Sequence, residues 1–76
     1  MRQVVLYQDE GGAWIAEAPS LPGCRSDGDS PDEAIENVKD AIVCYVEHMR
    51  DHGMPSPEER GPMIVECVDV REDEAA

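Results

Sequence analysis

Hydrophobic positions follow a two-residue period at both ends of this chain and a longer period in the middle. Val4, Val5, Leu6 and Tyr7 form a β-branched and aromatic run within Gln3 to Tyr7, closed by Gln8-Asp9-Glu10-Gly11-Gly12, which predicts a strand and a turn. Beyond the glycines, Trp14, Ala16 and Ala18 alternate with Ala13, Ile15 and Glu17, the pattern of a second strand paired antiparallel with the first. Pro19 ends it. Pro19-Ser20-Leu21-Pro22-Gly23 wraps a rigid turn around one apolar anchor, and a short, polar third strand is expected within Cys24 to Gly28.

The period then lengthens. Ser30 can accept the amide hydrogen of Glu33 while the Glu33 side chain reaches back, and Pro31 suits the first helical position, so a capped helix starts here. Ala34, Ile35, Val38, Ala41, Ile42, Tyr45, Val46 and Met49 recur at three- and four-residue steps and fall on one stripe; Asp32, Glu36, Lys39, Asp40, Glu47 and Arg50 fall on the other side. Gly53 ends the helix and Pro55 and Pro57 prevent its continuation. The spacing predicts a helix from Pro31 to His52, roughly 33 Å long. After the loop Pro55 to Pro62, Met63-Ile64-Val65-Glu66-Cys67-Val68-Asp69-Val70 is expected to return as a strand, and Arg71 to Ala76 reads as a charged, disordered tail.

The element order is therefore strand, strand, strand, helix, strand: an α+β domain over residues 1–70, with the helix on one face of a mainly antiparallel sheet and an acidic tail over 71–76. Val5, Tyr7, Ile15 and Val65 or their neighbours then point away from the helix, and self-association would cover them. A chain of 76 residues buries a thin core, so a second source of stability is expected. Disulfides are the weakest candidate: Cys24, Cys44 and Cys67 are odd in number and widely spaced, as for reduced thiols in the cytoplasm. No stretch has the length and apolarity of a membrane span, and the strand-like opening Gln3 to Tyr7 leads us to expect a soluble protein that is not exported.

Charge narrows the classes of partner. Eighteen acidic against six basic side chains give a formal net charge of −12, which repels phosphate backbones and anionic lipid and attracts a basic protein. Direct nucleic-acid binding is not expected; solubility alone is the plainer account of the same charge.

Candidate chemistry is sparse. Nothing in the local sequence sets a cysteine beside His48 or His52 in an oriented nucleophilic group. His48 and His52 are four apart on the helix, a spacing that can hold a metal, yet Met49 stands where a zinc-protease pattern has Glu. Asp9, Glu10, Asp27 and Asp29 sit in or beside turns, where aspartate is favoured for its own hydrogen bonding. No catalytic residue, metal or cofactor is expected.

Two segments carry a family resemblance. Gly11-Gly12-Ala13-Trp14-Ile15-Ala16-Glu17-Ala18-Pro19-Ser20-Leu21-Pro22-Gly23-Cys24, followed by Asp27-Gly28-Asp29-Ser30-Pro31-Asp32-Glu33-Ala34, resembles the HicB-like antitoxin family, and Gly53-Met54-Pro55-Ser56-Pro57 is similar to its post-helix turn. The resemblance implies a partial RNase H-like β-β-β-α-β fold, homodimers or larger assemblies, no retained nuclease site, and binding to HicA, a small basic ribonuclease toxin. Typical members continue into a DNA-binding segment where this sequence has Arg71-Glu72-Asp73-Glu74-Ala75-Ala76, so operator binding is not expected.

The leading expectation is masking of a HicA-like toxin, with Asp9, Glu10, Glu36, Asp40 and Glu47 as partner-binding residues. A partnerless oligomeric module with a regulatory or scaffolding role is the second reading, and a degenerate nuclease, tested at Asp9, Asp27 and Asp29, the third. Trp14 is expected in the core rather than as an interface anchor.

Overall fold

The computed structural model describes residues 1–59 and 61–71 and consists of β1 (Val5–Gln8), β2 (Trp14–Glu17), β3 (Arg25–Gly28) and α1 (Pro31–Asp51). The strands form one antiparallel sheet in the order β1-β2-β3, with Leu6 opposite Ala16 and Ala16 opposite Ser26. The first turn closes through Asp9, whose backbone N–H donates to the Ala13 carbonyl at 2.9 Å and whose Oδ1 accepts the Ala13 N–H at 2.9 Å. Gly12 adopts φ 89°, a conformation that a side chain would resist.

Helix α1 begins as its residues dictate. Ser30 caps it in an extended conformation, its Oγ accepting the Glu33 N–H at 3.1 Å, with Pro31 in the first turn. The reciprocal bond from the Ser30 N–H to the Glu33 side chain is not formed among the described residues, so the capping box is half made. At the other end Met54 N–H reaches the Met49 carbonyl at 2.8 Å and Gly53 N–H the Arg50 carbonyl at 3.0 Å, with Gly53 at φ 68°: a Schellman motif.

The inward stripe of α1 and one face of the sheet enclose the core. Ala16, Ala34 and Val38 are buried together, with Val4, Leu6, Trp14 and Ile42 packed around them. A second cluster gathers Ala18, Leu21 and Cys24 from the turn between β2 and β3 against Ala41, Ile42, Tyr45 and Val46. Leu21 and Val38 are the largest fully buried side chains, so the core is as thin as the length implies. At Gly28 the helix comes so close that a Cβ would stand 2.6 Å from the Ala34 nitrogen and 2.9 Å from the Glu33 carbonyl carbon. Asn37 Nδ2 donates to the Asp27 carbonyl at 2.8 Å and completes that junction.

One expected element is not formed. Met63 to Val70, read from its sequence as a fourth strand, has no strand pairing among the described residues, and Ile64, Val65, Val68 and Val70 are largely exposed. Alternating apolar residues make a segment competent to pair, but a strand also needs an unpaired edge that the chain can reach in register. The α+β class stands as three antiparallel strands followed by one helix. Of the expected tail over 71–76, residues 72–76 lie outside the described residues.

Candidate partner-binding surfaces

The carboxylates that the sequence nominated divide between two elements. Asp9 and Glu10 occupy the exposed turn between β1 and β2, where Asp9 holds that turn closed. Glu36, Asp40 and Glu47 are exposed on α1, at spacings of four and seven residues that keep them on one outward stripe. Lys39 Nζ lies 3.0 Å from Glu36 Oε1, a solvent-exposed pair of small energetic value. Among the described residues no hydrogen bond or ion pair joins the turn pair to the helix trio, so they are separate acidic patches.

The sheet face away from α1 is a third surface. Val5 lies opposite Glu17, Tyr7 opposite Ile15, Ile15 opposite Asp27 and Glu17 opposite Arg25, so two-residue alternation puts all six on the uncovered side. Tyr7, Ile15, Arg25 and Asp27 border a shallow hollow with Asp9 at its rim. This face mixes an apolar centre with charges of both signs; strand alternation predicts its apolar members, whereas Arg25 becomes part of it only through the β2–β3 register.

The groups weighed for chemistry are held apart or engaged in structure. Cys24 is buried, and that burial pushes its thiol above its ordinary value of 9.0, which disfavours the nucleophilic thiolate. Cys44 and Cys67 are exposed. The rings of His48 and His52 lie 4.2 Å apart, and His52 Nδ1 sits 2.9 Å from the His48 carbonyl oxygen, a hydrogen bond at the helix C-terminus. Among the described residues no group of three or more His, Cys, Asp or Glu side chains converges to hold a metal ion. Among the described residues no helix is long and apolar enough to cross a membrane. Trp14 is half-buried against Ala16, Ala34 and Val38, within the core as expected.

Sequence reasoning missed Glu59. Its Oε1 accepts the Gln3 backbone N–H at 3.2 Å and its Oε2 accepts the Ser20 hydroxyl at 2.9 Å, with Arg2 Nη1 3.9 Å away. This carboxylate ties the loop after α1 to the start of β1 and to the turn after β2. No period or motif marks it, because its partners are distant in sequence.

Comparison with known proteins gives the arrangement its context. Residues 3–72 match the family described as the HicB-like antitoxin of bacterial toxin–antitoxin systems. The chain is 34% identical over 61 residues to a UPF0150 protein of Thermoplasma acidophilum, covering 80% of this chain and 88% of that protein. It is 39% identical over 56 residues to a UPF0150 protein of Synechocystis, covering 74% and 71%. Among solved structures, the N-terminal domain of the Burkholderia pseudomallei antitoxin HicB superposes with a TM-score of 0.60 at 29% identity, over 95% of this chain and 76% of that one. With the match spanning nearly all of its strands, turns and helix, the chain belongs to the HicB-like antitoxin family.

Proposed function

We propose that this protein is an antitoxin that works by binding: it occupies the cationic RNA-binding face of a small basic ribonuclease of the HicA type and keeps substrate away. The observation that carries this reading is the family match over residues 3–72, in a chain whose net charge is −12. A protein with the charge sign of RNA, spread over a rigid frame, competes for the same cationic surface. Glu36, Asp40 and Glu47 on α1 and Asp9 and Glu10 at the hairpin are exposed and available for that contact.

On this reading residues 1–70 act as one cytoplasmic binding unit that needs no cofactor, performs no catalysis and makes no direct contact with nucleic acid. Like-charge repulsion opposes such contact. The two acidic patches contribute chiefly to the rate and specificity of encounter, and an apolar contact such as Tyr7 and Ile15 on the open sheet face supplies the lasting part of the affinity.

Co-expression with a basic HicA-type ribonuclease tests the proposal. Growth arrest by the toxin is expected to be relieved and the two proteins to co-purify. Growth arrest that persists with both proteins soluble would rule it out.

A further inference from the structure

His48 and His52 close α1 and take no part in toxin masking. Four residues apart, they share one face of the helix and differ by about 6 Å in height along it. The His52 N–H donates to the His48 carbonyl at 3.2 Å, so the helical spacing holds through the cap. Both side chains are exposed, and their rings face one another with centroids 4.2 Å apart and planes tilted by 36°. Two imidazoles in neighbouring positions of one metal ion, with bonds of about 2.0–2.1 Å, hold their ring centres about 5 Å apart. The pair has only to open by a fraction of an ångström.

A hydrogen bond settles which nitrogen of His52 is free. Its Nδ1 lies 2.9 Å from the His48 carbonyl oxygen, which can only accept, so Nδ1 carries the proton and Nε2 of the neutral ring holds the open lone pair. Metal-binding histidines use their second nitrogen in this way, because the bond orients the ring and makes the ligating nitrogen more basic. The surroundings favour a cation. The carbonyl end of α1 is negative, Glu47 and Asp51 are exposed beside the pair, and the chain carries a net charge of −12. Arg50, two positions from each histidine, lies across the helix in the hollow that Val46 and Met54 line.

We propose that His48 and His52 form a two-nitrogen site for a divalent late transition-metal ion, with water completing its coordination. Imidazole selects nickel, copper or zinc over magnesium and calcium. Among the described residues no third side chain converges on the pair, which sets the site apart from a closed structural zinc centre, and Met49 in the place of Glu sets it apart from a zinc protease. An ion held by both rings joins the last turn of α1 to its cap and so stabilises the end of the helix. This inference stands apart from the antitoxin reading, since either can hold without the other.

Calorimetric titration of the full chain with nickel(II) or zinc(II) salts at neutral pH, repeated with magnesium, tests it. One ion per chain is expected to bind with micromolar affinity, and magnesium to bind far more weakly. His48→Gln and His52→Gln, both at exposed positions, are each expected to weaken binding by roughly tenfold or more, with helical circular dichroism unchanged in the absence of metal. Cys44→Ser with Cys67→Ser removes the exposed thiols and is expected to leave the affinity as it was. In the unaltered chain, nickel below one equivalent is expected to broaden the ring-proton resonances of His48 and His52 before any others. No binding at millimolar metal, equal affinity for magnesium, affinity that survives the histidine changes or is lost with the cysteines, or broadening that begins elsewhere would each overturn the proposal.

Discussion

Glu59 accepts the backbone N–H of Gln3 at 3.2 Å across 56 positions of sequence and so ties the loop after α1 to the start of β1. With Ser20 as its second donor, the carboxylate joins three segments: the loop after α1, the start of β1 and the turn after β2. The adjoining Arg2–Glu59 pair is 3.9 Å apart, at the outer limit of an ion pair, so the hydrogen bonds at 3.2 and 2.9 Å outweigh it. Glu59→Ala is expected to cost about 1–3 kcal/mol, measured by urea denaturation, and to raise hydrogen exchange at Gln3. Unchanged stability and exchange would remove Glu59 from this role.

Gly28 is required by proximity. A methyl group there meets the backbone of Glu33 and Ala34 at 2.9 and 2.6 Å, atoms that move only if the helix moves. Gly28→Ala is expected to destabilise the fold by about 1–3 kcal/mol, although alanine suits most strand positions better than glycine. The same denaturation experiment decides it, and a neutral result would show that α1 can shift on the sheet without cost.

Cys24 should differ from the other thiols. Its burial favours the neutral form and raises the folded pKa above 9.0, so the associated stability is fully present below about pH 9 and is lost as pH rises through the folded value. In a timed reaction with a thiol reagent at pH 8, Cys44 and Cys67 are expected to label first and Cys24 only on unfolding. Equal rates for all three would contradict its placement with Ala18 and Leu21.

Much of this architecture could be read from the chain before any coordinates. Ser30, Pro31 and the stripe from Ala34 to Met49 locate α1 because capping and periodicity are local, and its bounds differ from the expectation by one residue, His52 being the cap. The hairpin was equally legible from Val4 to Tyr7, the Gly11-Gly12 turn and the alternation through Trp14. Met63 to Val70 was legible only as a pairing tendency; whether an edge is free within reach depends on Glu59 and on the ending of α1, relationships that no local pattern contains. The open sheet face followed the same division, with Tyr7 and Ile15 evident from alternation and Arg25 placed only by register. Partner-binding roles for Asp9, Glu10, Glu36, Asp40 and Glu47 rest on charge and exposure, which leave the choice among exposed carboxylates open to mutation.

That choice can be resolved by reversing the helix stripe. Glu36→Lys, Asp40→Lys and Glu47→Lys together move the net charge from −12 toward zero by six units while altering only exposed positions. Association with a basic HicA-type ribonuclease is expected to slow by about tenfold or more at low salt, with a smaller change in dissociation, as read by surface plasmon resonance. Reversal of Asp9 and Glu10 provides the matching test of the hairpin.

The most direct test of the account is the equilibrium affinity between this protein and such a ribonuclease, measured by calorimetry from about 50 mM to 500 mM salt alongside the ribonuclease's rate of RNA cleavage. A stoichiometric complex that abolishes cleavage and weakens steadily as salt rises is the predicted result. No measurable complex at low salt, or a complex in which RNA is cut at the uninhibited rate, would contradict it.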